Sequence, residues 1–77
     1  MNVYEKVMRV REIAEELTAI KLTMEALRTI GTTTNVRTAE RCLTIANRLN
    51  EKGTNLCNEF ETLEKEINQF GKENGLL

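Results

Sequence analysis

The chain has no tryptophan, histidine, proline or aspartate, and only one tyrosine, two phenylalanines and two cysteines among its 77 residues. Each gap excludes something. Without histidine or aspartate there is no Ser-His-Asp triad, no Cys-His pair and no Glu-x-x-His motif of the kind that builds carboxylate-bridged metal centres in helical bundles. The glutamates are scattered as on solvated helical faces, so the expectation is a non-enzyme with no metal and no cofactor. Cys42 and Cys57 come with no signal-peptide pattern and no dense cysteine framework, which points to free thiols in a reducing cytoplasm. No apolar run approaches the ~18 residues of a membrane span. A formal net charge of −1 gives no global attraction to nucleic acid or to an anionic membrane, so any recognition must be local.

What the chain does have is heptad periodicity. Residues 3–30 contain no glycine, and Val3, Val10, Leu17 and Met24 interleave with Lys6, Ile13, Ile20 and Leu27 as the two seam positions of a coiled coil, Lys6 being the one polar member. Gly31 is suited to end this helix in a left-handed conformation, and Thr34 or Asn35 to cap the next. A second heptad runs through Ala39, Cys42, Ala46, Leu49, Gly53, Leu56, Phe60, Leu63, Ile67 and Phe70. Its phase survives Gly53, which favours one helix over 35–70, with a break near Gly53 as the alternative. Beyond Phe70 the period is lost, and 71–77 should fray. The reading is a single all-α domain over 1–77: an antiparallel two-helix hairpin with a tip loop at 31–35 and a long second helix.

Two such helices, about 42 and 54 Å long, leave the far end of the second without an intrachain partner. One buried stripe per helix is also too little for a stable monomer, since a core of this size supplies only ~3–5 kcal/mol. An oligomeric helical bundle is therefore expected. Near the tip the apolar faces widen. Leu22, Ala26 and Ile30 form an i, i+4, i+8 ridge on helix one, and Val36 and Leu43 flank the seam on helix two. These residues, with Leu56, Phe60, Leu63, Ile67 and Phe70 from the unpartnered half, are the candidate subunit interface. A broader intrachain seam is the competing explanation.

The tip also has the composition of an anion site. A helix N-terminus presents unpaired N–H groups and the positive end of the macrodipole. Thr32, Thr33, Thr34 and Asn35 surround it, Arg37 and Arg41 stand one turn apart, and Arg28 enters from helix one. Arg37, Arg41, Arg48 and Lys52 share a stripe, and residues 31–52 carry four cations and two glutamates, against two cations and five glutamates over 53–77. A threonine-rich turn and a solvated basic face are the plainer alternatives. Duplex binding ranks last, because four charges on an otherwise acidic chain give weak, salt-sensitive association.

The segments "YEKVMRVREIAEEL" and "TAERCLTIAN" resemble the helical-hairpin domain of phage anti-CBASS type 2 cyclic-nucleotide sponges, a hairpin shared with a Thoeris-antagonist sponge family. That family has an early aromatic, an Ile-Arg-Glu-x-Ala pattern and a Glu-x-Ala-x-x-x-Ala-Asn pattern. Val10-Arg11-Glu12-Ile13-Ala14, Glu40-Arg41-Cys42 and Ile45-Ala46-Asn47 fit these at a similar separation, over roughly residues 4–50. Where the family often has a tryptophan before Ala-Asn and prolines at the tip, this chain has Ile45 and threonines. The resemblance implies a homo-oligomer, a hexamer among the candidate sizes, that binds a cyclic dinucleotide or trinucleotide at subunit junctions without cleaving it. By the same resemblance Tyr4 and Lys21 take the base-stacking and phosphate-binding roles, and Arg11 and Asn47 join the ligand side. The rival functions are a coiled-coil adaptor or inhibitor that engages a host protein through Leu56–Phe70, and a purely structural bundle subunit.

Overall fold

The computed structural model describes all 77 residues and contains two helices, α1 (Val3–Thr33) and α2 (Val36–Glu73), packed as an antiparallel hairpin 57 Å long. Each helix begins on an asparagine whose side chain takes up an orphan donor of the first turn. Asn2 Oδ1 accepts from the Glu5 N–H at 2.8 Å, and Asn35 Oδ1 accepts from the Thr38 N–H at 2.9 Å. Only Thr34 and Asn35 link the helices.

Gly31 does not end α1, contrary to the expectation from sequence. The helix runs a further two residues, and no left-handed residue occurs at the tip; Thr34, in extended conformation, stops the helix. The physical reason lies in the threonines. The Thr32 hydroxyl donates to the Thr29 carbonyl and the Thr33 hydroxyl to those of Thr29 and Ile30, of which Ile30 is one of the four carbonyls that the last turn leaves without an amide partner. Gly31 instead sits in the seam, where an added Cβ would stand 3.9 Å from the Cys42 Cβ.

The tail differs from expectation as well. α2 continues through Gly71 to Glu73, and the chain then turns back on itself. The Gly75 N–H bonds to Lys72 O and the Leu76 N–H to Gly71 O, with Gly75 at φ +68°, which is the Schellman arrangement for closing a helix. Leu77 folds over Gly71 so closely that a Cβ there would meet it at 2.9 Å, and Gly71 is buried. Loss of hydrophobic period was a poor guide here, because a glycine-closed cap needs no period.

The seam follows the heptads. Ile13 is fully enclosed, packed with Leu56 and Leu63, and Val10, Leu17, Ile20 and Phe60 surround that cluster. Leu56, Phe60, Leu63 and Ile67 therefore do not form an unpartnered half of α2. With a two-residue link and a start at Val3, α1 reaches along nearly all of α2, and Lys6 meets Glu66 at 3.2 Å. Only the last turns of α2 overhang. Phe70 lies there, 38% exposed, and is the one member of that predicted set left outside the seam.

One flank of the seam is fastened by a forked ion pair. Arg9 Nε and Nη2 donate to the two carboxylate oxygens of Glu59 at 2.6 and 3.0 Å, and Nη1 reaches Glu12 at 3.3 Å. The Arg9 hydrogen bonds hold the Glu59 carboxyl below the usual carboxylate range. The unfolded chain therefore binds more protons than the folded one in acid, so this contribution is complete above the ordinary pKa of about 4.5 and is lost as pH falls through the lowered value. Thermal melts in acid should show it: Glu59→Gln lowers the midpoint at neutral pH and flattens its decline below about pH 5. An unchanged slope would assign the acid sensitivity to other carboxylates.

α2 passes unbroken through Gly53, where a Cβ would find Ile20 at 3.9 Å and Leu17 at 4.0 Å, ordinary contact distances. Gly53→Ala should accordingly raise the unfolding free energy by about 1 kcal/mol in urea titration, through helix propensity alone. A loss would mean that the seam cannot admit a methyl group.

Candidate functional site

The tip is the natural place to test for convergent donors, and its polar groups are largely engaged with their own backbone. The Thr32 and Thr33 hydroxyls are given to α1 carbonyls, and the Asn35 amide oxygen is spent on the α2 cap. Arg28, Arg37 and Arg41 are all exposed, but they do not face one point. Arg28 and Thr32 border an opening between the helices, whereas Arg37 and Arg41 do not line it. Arg41 precedes Leu43, which does line it, by two residues, or about 200° around the helix.

The remaining predicted ligand residues are dispersed. Tyr4 is 70% exposed beside the α1 cap, about 36 Å along the helix from Arg28. Arg11 is close by and engaged with Glu15 at 3.3 Å. Lys21 lies midway along α1 and Asn47 three turns into α2, both exposed. A single chain does not bring these residues together.

Sequence reading missed the most distinctive surface, an open apolar groove along one flank of the seam. Near the tip it is bounded by Met24, Leu27, Arg28, Gly31, Thr32, Ala39, Cys42, Leu43 and Ala46 and holds about 320 Å³. In mid-rod Leu17, Ile20, Met24, Leu49, Gly53 and Cys57 border about 310 Å³, and towards the open end Ala14, Leu17, Cys57, Phe60, Glu61 and Glu64 border about 420 Å³. Shared walls at Met24, Leu17 and Cys57 make these one continuous feature. On α2 its rim residues Leu43, Asn50, Cys57 and Glu64 recur every seventh position, as Ala14 and Arg28 on α1 do at twice that spacing, so the groove follows one face. Arg9 and Glu59 fasten the opposite flank.

The cause is side-chain size. Gly31, Ala39, Cys42, Ala46 and Gly53 occupy seam positions with few atoms, so that long neighbours such as Met24 and Leu27 border open space instead of closing over it. The small residues were visible in the sequence; that they leave a groove is a matter of helix separation, which the sequence does not state. Leu22 (60% exposed), Ala26 and Ile30 do not line the groove and form a separate apolar strip on α1, and Val36 is 75% exposed at the tip.

The cations are also unevenly employed. Lys6, Arg9 and Arg11 all make ion pairs, while Lys21, Arg28, Arg37, Arg41, Arg48 and Lys52, and at the other end Lys65 and Lys72, make none within the chain. No group of three or more residues is placed to hold a metal ion, and no helix is long and apolar enough to cross a membrane. No protein-family model, curated protein or solved structure matches the chain.

Because Asn35 works as a cap, its replacement should act on stability before it acts on any ligand. Asn35→Ala is expected to cost about 1 kcal/mol in chemical unfolding. No loss would show that the amide is free to serve a bound anion instead.

Proposed function

We propose that the chain is a non-catalytic, self-assembling helical hairpin of the cytoplasm that captures a small, multiply charged anion, with a phage-type sponge for cyclic oligonucleotide immune signals as the specific reading. The observation that carries anion capture is the segregation of charge: six of the eight unpaired cations lie within residues 21–52, while all three paired ones, with Lys65 and Lys72, lie in the other half of the rod. Unpaired arginines one turn apart are suited to phosphate, which they bind through charge-assisted hydrogen bonds. The identification of the anion as a cyclic di- or trinucleotide rests on the resemblance of residues 4–50 to the sponge hairpins. Sequestration asks for no acid, base or nucleophile, in keeping with a composition that has neither histidine nor aspartate.

The dispersal of Tyr4, Lys21, Arg37 and Asn47 along the rod sets a condition on this function. A ligand with two bases and two phosphates meets enough of them only where several chains contribute, so capture requires assembly. The adaptor reading keeps only part of its surface, since Leu56 and Leu63 are buried with Ile13 while Phe60 and Ile67 are half-buried and Phe70 is exposed.

A melting-shift panel of cyclic di- and trinucleotides tests the proposal, because a ligand at about 100 times its dissociation constant adds about 2.7 kcal/mol of stability. Arg37→Ala and Arg41→Ala should each weaken the responding ligand by roughly ten- to a hundredfold in calorimetry, the loss of one charge-assisted hydrogen bond of about 1.5–3 kcal/mol. Lys65→Ala with Lys72→Ala, far from the tip, should change little. A protein that no cyclic nucleotide stabilises would end the sponge reading.

A further inference from the structure

We infer that the open groove is occupied by a second copy of this chain, laid antiparallel across it about a two-fold axis near the middle of the rod. The inference deepens the self-assembly proposed above and is independent of the anion. Three observations lead to it. The isolated hairpin encloses only Ile13 completely, while Leu17, Met24, Leu27 and Phe60 remain half-buried along the groove walls. The groove is confined to one flank, so a single partner suffices to cover it, and the four-helix bundle that results is an ordinary stable architecture.

Charge then selects the partner and its direction. Residues 21–52 carry six cations and three glutamates, whereas the two chain segments that make up the rest of the rod carry five cations and nine glutamates. The rod is therefore positive at the tip and negative at its open end. The groove rim repeats this pattern in miniature: Arg28 borders its tip end, and Glu61 and Glu64 border its far end. None of the three has an ion-pair partner within the chain.

A two-fold axis makes every contact occur twice, so a surface that joins itself must be self-complementary. Antiparallel stacking brings Arg28 of each copy to Glu61 and Glu64 of the other, and tip onto open end. Parallel stacking would set Arg28 against its own copy and the glutamates against theirs. Because the groove spans about 30 Å between Arg28 and Glu64, the axis falls close to Gly53, and Cys57 lies within about two turns of its symmetry mate along the rod. The groove wall there includes Leu17 and Ile20, apolar surface for a partner to cover, and Gly53, which has no side chain to hold a neighbouring helix away.

Sedimentation equilibrium over nanomolar to micromolar concentration, combined with charge exchange, tests this. The wild type should be a dimer. Arg28→Glu alone, or Glu61→Arg with Glu64→Arg, should each raise the dissociation constant by roughly tenfold or more, since symmetry-related pairs change sign together. The triple exchange should restore it. Circular dichroism checks that the variants remain helical; all three positions are exposed and unpaired, so the hairpin itself should persist. A short bis-maleimide of about 10–15 Å reach should link Cys57 to Cys57 in the wild-type dimer. A monomer at every concentration would overturn both this inference and self-assembly. A dimer indifferent to charge exchange and unlinked at Cys57 would overturn the antiparallel groove arrangement alone, leaving assembly through another face, such as the Leu22 and Ile30 strip.

Discussion

The whole arrangement depends on how α1 is held against α2 around Ile13. That residue is the one fully enclosed side chain of the protein, and it is enclosed by Leu56 and Leu63 from the opposite helix. A two-stranded seam is prone to slide, because each apolar side chain finds an equivalent hole one heptad away. The forked Arg9–Glu59 pair beside the cluster opposes such a slip in one direction: a shift of seven residues that way would set Arg9 against Lys52, whereas the opposite shift would offer it Glu66. Lys6 and Glu66 pair one turn further out. Ordinary surface pairs contribute little stability, and the two-residue link between the helices limits sliding in either direction, so the place of every other residue along the rod follows from link and pairs together.

The same register explains the polarity of the molecule. Towards the open end the seam is centred on Ile13, Leu56 and Leu63, and the flank away from the groove carries ion pairs that employ Lys6 and Arg9. Towards the tip the seam residues shrink to Gly31, Ala39, Cys42 and Ala46, the groove opens, and the cations are left without intrachain partners. The buried cluster and most of the unpaired cations therefore lie in different halves of one rod. The half that holds the hairpin together is not the half with spare chemistry.

The helices and their facing stripes were legible in the sequence because a seven-residue period needs only side-chain identity to be read. Punctuation was less legible. Gly31 and Gly75 both stand near helix ends, yet only Gly75 adopts a left-handed conformation; at Gly31 the helix continues, and the Thr33 hydroxyl serves the Ile30 carbonyl of its last turn. Those hydroxyls appeared in the sequence as donors available to a ligand; in the folded hairpin local backbone acceptors, three and four residues away, take those of Thr32 and Thr33. The expected free half of α2 was a misjudgment of length: a two-residue link and an α1 of 31 residues leave little of α2 uncovered. The groove was illegible because it arises from the gap between two helices, a quantity that no single helix encodes.

Face, not only position along the rod, decides how assembly and anion capture relate. Leu43, Asn50, Cys57 and Glu64 place the groove on one side of α2, and Arg37 and Arg41 lie well around the helix from it. A partner seated in the groove therefore covers Arg28 and leaves the other two arginines in water. In an antiparallel pair the two tips lie at opposite ends of the assembly, each beside the acidic open end of the other copy. Each tip would then keep an exposed arginine pair flanked by foreign glutamates, which lowers the local potential and disfavours indiscriminate binding of polyanions such as duplex DNA. A compact anion that fits between the two guanidinium groups suffers less from that acidic background than an extended one does, because its charges are met at hydrogen-bonding distance and not through the summed field. Self-association through the groove would thus bias the tips against extended polyanions, while the bases and second phosphate of a cyclic dinucleotide would still need groups from more than one chain.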